Sequence, residues 1–173
     1  IRRLAELPRI VGIKDSSGDV SFMLRMVAAI RPSRPDFTFL TGWDVVLAPM
    51  MLAGADGGTN ASGNAIPEVM CRLFELTRSG NLEEAMKLQF RILDVFDTML
   101  NPFEFPDGFR AATEMRGFKM GPGRQPSTPA QQVNRASLQK VLQCLLADLG
   151  VVEPPAAGCP PRTGNLQKDQ IGQ

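Results

Sequence analysis

Lys14 is the residue whose type and position most directly suggest chemistry. It ends the apolar run RIVGIK, which lies between Pro8 and the polar segment Asp15–Gly18. Such a run predicts a buried strand followed by a loop. A lysine at the carboxyl end of a parallel strand can point into a site built by loops, where burial favours the neutral amine that attacks carbonyls. The alternative is a rim lysine whose stem only covers apolar surface, and spacing alone favours that alternative.

The elements around Lys14 alternate in type along the first 80 residues. Strands are predicted at Arg9–Lys14, Phe37–Thr41 and Gly57–Ala61, and helices follow at Val20–Ile30, Val45–Ala53 and from Pro67 to about Ser79. Asp19 and Asp44 are predicted to cap the first two helices. Strand–helix alternation with short links favours parallel strands with right-handed crossovers. The sequence therefore predicts an α/β fold, and three units are too few to close a barrel.

The pattern becomes helical after Gly80. Residues 81–150 are predicted to form a helical region, with capping boxes at Asn81–Glu84 and Thr128–Gln131. Residues 151–173 are rich in Pro and Gly and lack periodicity, which predicts a disordered tail.

Composition excludes several classes of function. The chain has no histidine, which removes Ser-His-Asp catalysis, Cys-His catalysis and histidine-based metal sites. The net charge of +1 gives no field that would attract nucleic acid, and no apolar run approaches the roughly 20 residues that span a bilayer. We predict no metal, no cofactor, no nucleic-acid partner and no membrane partner.

The three cysteines are far apart in the sequence. This spacing argues against a disulfide framework and fits a reducing cytosol, so we predict a cytoplasmic protein. Cys71 and Cys144 lie in helical patterns among apolar residues and are predicted to be packing residues.

Three segments in the same order resemble one enzyme family. They are IVGIKDSSGD at residues 10–19, LTGWD at residues 40–44, and LAGADGG at residues 52–58 followed by Asn64 and Pro67. Together they resemble the dihydrodipicolinate synthase and N-acetylneuraminate lyase family of class I Schiff-base lyases. The resemblance covers roughly residues 1–149. It implies the C-terminal part of a TIM (β/α)8 barrel, strands six to eight, within residues 1–80.

The resemblance also implies roles for individual residues. Lys14 would be the catalytic residue that forms an imine with pyruvate or another 2-oxo acid. Gly42 would let the backbone approach the substrate, and Asp44 would help to hold substrate hydroxyls. Thr59 would lie beside the imine, and Asn60 stands where the lyases tend to have glycine. From the residues alone, Gly42 can equally be a strand stop, Asp44 a helix cap and Thr59 barrel filling.

The implied activity is carbon–carbon bond cleavage or formation on a 2-keto-3-deoxy sugar acid, a neuraminate-like acid or a dihydrodipicolinate-type substrate. The family's carboxylate-binding segment and its proton-shuttling tyrosine belong to the N-terminal half, and this chain has no tyrosine. We therefore expect a fragment of a protein that forms a homo-oligomer when intact. The alternatives are a catalytically inactive fragment, an assembly piece, or a helical binding module at residues 81–149.

Overall fold

A computed structural model describes residues 1–101, 105–121, 123–124, 126, 128–129 and 135–159. Three short parallel strands form one sheet in the order β1 (Gly12–Asp15), β2 (Thr38–Thr41) and β3 (Gly57–Gly58). Four α-helices lie in the same first 80 residues as these strands: α1 (Arg2–Ala5), α2 (Val20–Ile30), α3 (Leu47–Leu52) and α4 (Pro67–Arg78). Two 3₁₀ helices, Asp44–Val46 and Ala61–Asn64, follow β2 and β3. The predicted α/β class is confirmed, although each strand is shorter than the sequence pattern indicated.

Three further helices follow: α5 (Leu82–Leu100), α6 (Asp107–Met115) and α7 (Arg135–Asp148). They share one apolar core with α3 and α4, whose fully buried members include Leu73, Ile92, Leu142 and Leu146. None of the described helices is long and apolar enough to cross a membrane.

The two faces of the sheet have different environments. Phe39 on β2 is fully buried in a second apolar cluster, together with Met23 and Met26 of α2. Successive side chains along a strand point to opposite faces, so Lys14 and Leu40 lie on the other side of the sheet. There Lys14 is exposed and Leu40 is only half-buried. The helices cover one face of the sheet, and the face that carries Lys14 is open in the described part of the chain.

The predicted helix caps have mixed outcomes. Asp19 caps α2 as expected, because its carboxylate accepts the Phe22 N–H at 2.9 Å. Asp44 does not cap its own helix, since it lies inside the first 3₁₀ helix and its carboxylate binds a distant loop. The capping box at Asn81 is wrong as well: Asn81 makes no side-chain cap bond, and Glu84 pairs with Lys87. In the other capping box, Gln131 lies outside the described residues.

The cysteine predictions need correction. Cys144 on α7 forms a disulfide with Cys159, and the two Cα atoms are 5.6 Å apart. Cys71 is exposed on α4 and is not a packing residue. Sequence spacing missed the disulfide because a turn after α7 reverses the chain and brings residue 159 back to the helix.

The segment 151–159, predicted as the start of a disordered tail, contacts the helical region. Val151 and Val152 pack against its core, and Gln143 donates a hydrogen bond to the Glu153 carbonyl at 3.3 Å. The rest of the predicted tail, residues 160–173, lies outside the described residues.

The disulfide leads to a prediction about thiol reactivity. Denatured, unreduced protein should show one reactive thiol, Cys71, because Cys144 and Cys159 are bonded to each other. The same sample should show all three thiols after reduction. A colorimetric thiol assay on protein purified without reductant measures both values. Three reactive thiols before reduction would contradict the pairing.

Candidate active site

The register of the sheet brings three predicted site residues to one edge. Lys14 pairs with Leu40, and Leu40 pairs with Gly57. Backbone bonds continue just past the strand ends: the Gly42 N–H donates to the Asp15 carbonyl at 2.7 Å, and the Thr59 N–H donates to the Thr41 carbonyl at 2.9 Å. Lys14, Gly42 and Thr59 therefore lie at the carboxyl ends of three adjacent parallel strands. Ligand sites in parallel α/β folds form at this end.

Lys14 and Asp15 point to opposite faces, as predicted for neighbours in a strand. Asp15 is buried, and its carboxylate accepts bonds from the Ser17 N–H at 3.1 Å and the Ser17 hydroxyl at 2.8 Å. Lys14 is exposed, and no described acidic side chain forms an ion pair with it. The local contacts therefore engage the carboxylate elsewhere and leave the amine on the open face. The burial that the sequence reasoning invoked for this amine is not present in the described part of the chain.

Gly42 lies against the Lys14 side chain. A Cβ built on Gly42 would collide with the Lys14 Cε and the Ser16 hydroxyl oxygen. The φ angle of Gly42 is not positive, so the requirement for glycine here is one of space and not of backbone conformation. This contact brings Gly42 and Lys14, two of the predicted site residues, together.

Asp44 is fully buried. One carboxylate oxygen accepts the Ser62 N–H at 2.6 Å and the other accepts the Ala61 N–H at 3.3 Å. The carboxylate thus caps the 3₁₀ helix after β3 from another segment. This geometry makes Asp44 a residue that holds the loop, and direct contact between Asp44 and a substrate stays a prediction.

Thr59 and Asn60 leave β3 at the same edge as Lys14. Thr59 is exposed and Asn60 is half-buried. The Asn60 amide nitrogen and the Ser62 hydroxyl are buried, and neither has a hydrogen-bond partner among the described residues. Buried polar atoms without partners are uncommon, and a bound water, ion or ligand is one way to satisfy them. Two such atoms lie in the segment that follows β3.

Sequence reasoning missed two residues near this edge. Ser16 lies against Gly42, and its position in a loop gave no periodic signal. Gln89 is 2% exposed on α5 and bonds to the segment that carries Asp44. An isolated glutamine among the apolar residues of an amphipathic helix is the signal that could have revealed it.

The described residues contain no cluster of three or more Asp, Glu or Cys side chains that could hold a metal ion.

Comparison with known proteins agrees with this geometry. The sequence model of the dihydrodipicolinate synthetase family matches residues 1–145. The chain belongs to this family. It is 36% identical over 149 residues to an uncharacterized DapA-like lyase of Halobacterium salinarum, covering 86% of this chain and 46% of that protein. It is 34% identical over 143 residues to the 4-hydroxy-tetrahydrodipicolinate synthase of an Exiguobacterium species, covering 83% and 47%.

A solved structure shows the same fold. YagE, a prophage protein of the dihydrodipicolinic acid synthase family from Escherichia coli K12, was solved in complex with pyruvate. It superposes with a TM-score of 0.68 at 29% identity, covering 79% of this chain and 46% of YagE. The chain therefore spans about half the length of the relatives that it matches.

The close packing at Gly42 predicts a specific destabilisation. Gly42→Ala should lower the free energy of unfolding by about 0.5–1 kcal/mol relative to the same change at an open glycine, because the new methyl group forces the exposed Ser16 or Lys14 side chain into another rotamer. Urea unfolding followed by circular dichroism measures the change.

Gly63→Ala is the matched control, since a Cβ at Gly63 meets nothing within 4 Å. The control should stay close to the native stability. Equal stability of the two variants would contradict the close packing of Gly42 against Lys14.

Proposed function

We propose that this chain carries the lysine-bearing part of a Schiff-base lyase, in which Lys14 forms an imine with pyruvate or another 2-oxo acid. The observation that supports this most directly is the Lys14 side chain on the open face at the end of β1, with Gly42 packed against it. Membership of the family supports the same chemistry, as does the pyruvate bound to the similar protein YagE.

The proposed chemistry begins with attack of the neutral Lys14 amine on the ketone carbon of the substrate. The ketone oxygen leaves as water, and a protonated imine remains on Lys14. That cation accepts the electron pair of the bond between its α and β carbons when this bond breaks, the β-hydroxyl loses its proton and becomes a carbonyl, and the enamine remains on Lys14. The reverse reaction forms the bond from the enamine. The chain's own contribution is the amine, the space provided by Gly42, and the polar loop that follows β3.

Other parts of a complete enzyme must supply the remaining groups. A general acid–base group and a clamp for the substrate carboxylate are needed, and we assign neither to the described residues. The chain spans about half of its relatives. We propose that β1, β2 and β3 correspond to strands six, seven and eight of a (β/α)8 barrel, that residues 81–150 form a helical region after it, and that the intact protein is a homo-oligomer.

The polar end of β3 bears on the choice of substrate. We propose that Thr59 and Asn60, at the end of β3, contact the part of a substrate that lies beyond the imine carbon. This favours a hydroxylated 2-oxo acid, such as a 2-keto-3-deoxy sugar acid or a neuraminate-like acid, slightly over a dihydrodipicolinate-type substrate. Asp44 is buried and its carboxylate is bonded to the loop after β3. We therefore propose that Asp44 contributes to substrate binding through this loop and not by direct contact.

Reductive trapping tests the proposed role of Lys14. The 173-residue protein is incubated with pyruvate and borohydride, digested and mapped by mass spectrometry. We expect one reduced pyruvate unit on the Lys14 peptide, because Lys14 is the only lysine of the described residues that lies at the strand-end site. Lys14→Arg should abolish the adduct, since a guanidinium does not form the imine.

Lys87→Arg is the matched control. Lys87 is exposed on α5 and pairs with Glu83 and Glu84, away from the strand ends. Its replacement should leave the Lys14 adduct unchanged. Labelling spread evenly over all lysines, or labelling that persists at the same level in Lys14→Arg, would contradict the proposal.

A further inference from the structure

A buried side-chain network connects α5 to the loop at the end of β3. The Gln89 amide nitrogen donates to the Asp44 carbonyl at 3.1 Å, and the Gln89 amide oxygen accepts the Ala48 N–H at 3.0 Å. The Asp44 carboxylate then holds the Ser62 and Ala61 N–H groups. Gln89 and Asp44 are separated by 45 positions in the sequence. The network thus joins α5 to the segment after β2 and to the segment after β3.

The Gln89 side chain binds the backbone at the junction between the first 3₁₀ helix and α3. The 3₁₀ helix Asp44–Val46 ends where α3 begins at Leu47, and no local side chain caps α3. Ala48 lies in the first turn of α3, where N–H groups have no partner within the helix. The Gln89 amide supplies that partner and also binds the carbonyl on the other side of the junction. Since Gln89 is 2% exposed, water cannot easily replace either bond.

A second contact supports the same connection. Trp43 packs edge-on against Phe96 of α5, with ring centroids 5.2 Å apart. The other side of Trp43 lies against Gly18, in the loop that follows Lys14, because a Cβ at Gly18 would approach the indole ring to 3.1 Å. α5 therefore contacts the segment after β2 at two points, one polar and one aromatic.

We propose that Gln89 is a positioning residue, which acts through Asp44 to fix the loop carrying Thr59 and Asn60 beside Lys14. Ala61 and Ser62 directly follow Asn60, so the two bonds to Asp44 determine where Thr59 and Asn60 emerge from β3. The alternative is that Gln89 only fills space in the core. The catalytic consequence of the proposal rests on the proposed function, whereas the structural coupling does not.

Amide hydrogen exchange on the full chain tests the coupling directly. In Gln89→Met, which keeps most of the volume but neither hydrogen bond, the protection factor of the Ser62 amide should fall about tenfold, the effect expected when a buried hydrogen-bonded network opens locally. Thr77→Val is the control, because it removes another buried hydrogen bond, from the Thr77 hydroxyl to the Leu73 carbonyl at 2.8 Å within α4. Relative to the α4 amides, Ser62 protection should fall in Gln89→Met and not in Thr77→Val.

Gln89→Glu separates a positioning role from a packing role. A protonated glutamic acid can accept from the Ala48 N–H and donate to the Asp44 carbonyl, as the glutamine does, whereas the carboxylate cannot donate and lies close to Asp44. Burial and the Asp44 charge should raise the pKa of the introduced carboxyl. Ser62 protection in this variant should therefore be low at pH values above the raised pKa and recover towards the native value as the pH falls through it. The native protein measured at each pH is the reference.

The experiments distinguish a failure of the positioning role of Gln89 from a failure of the proposed imine chemistry at Lys14. Unchanged Ser62 protection in Gln89→Met, or a pH-independent Gln89→Glu, would overturn the positioning role whatever the trapping result. The Lys14 adduct formed with pyruvate should also decrease in Gln89→Met and recover at lower pH in Gln89→Glu relative to the native protein. If native protein forms no adduct, the proposed function fails, and the exchange data still decide the role of Gln89.

Discussion

The parallel register between β1 and β2 is the constraint on which the proposed site depends. It pairs Lys14 with Leu40 and places the Gly42 N–H on the Asp15 carbonyl. A shift of one residue would turn Lys14 towards the helices and expose Asp15, because side chains alternate between faces. The apolar cluster around Phe39 opposes such a shift, since it would turn Ile13, which packs against that cluster, away from the core. The packing on one face of the sheet thereby fixes the position of the amine on the other.

The loops at the carboxyl edge are held by long-range hydrogen bonds. Asp44 caps the 3₁₀ helix that begins at Ala61, and Gln89 caps α3 from a helix that follows the strands. Each cap adds a hydrogen bond between segments that lie far apart in the sequence. The region after the strands thus contributes to the geometry of the strand ends. For this reason we expect a substitution on α5 to alter the loops near Lys14.

The sequence predicted the features that depend on local patterns. The α/β class, the bounds of α2 at Val20–Ile30 and the Asp19 cap follow from periodicity and from side chains that act on their own neighbours. Family membership was accessible because three short segments around Lys14, Gly42 and Gly57 keep their order and spacing.

Features that depend on tertiary contacts were not predictable in the same way. Asp44 and Asn81 both have the residue type of a cap, but Asp44 caps a helix that starts 17 positions later and Asn81 makes no cap bond. The pairing of Cys144 with Cys159 depends on a turn that brings the chain back to α7. Gln89 has a role only because α5 packs on the Asp44 segment. In these cases the contacts of the side chain depend on the tertiary fold and not on the adjacent sequence.

A fusion protein provides the most direct test that this chain carries the lysine-bearing half of a Schiff-base lyase. Since we propose that this chain is the C-terminal part of such an enzyme, the portion of the Exiguobacterium synthase that it does not match would be joined upstream of Ile1, and cooperative thermal unfolding would establish that the fusion folds. Pyruvate with borohydride should then label Lys14 faster than in the 173-residue protein, and Lys14→Arg in the fusion should remove the label. A folded fusion in which pyruvate leaves Lys14 unlabelled would contradict the account.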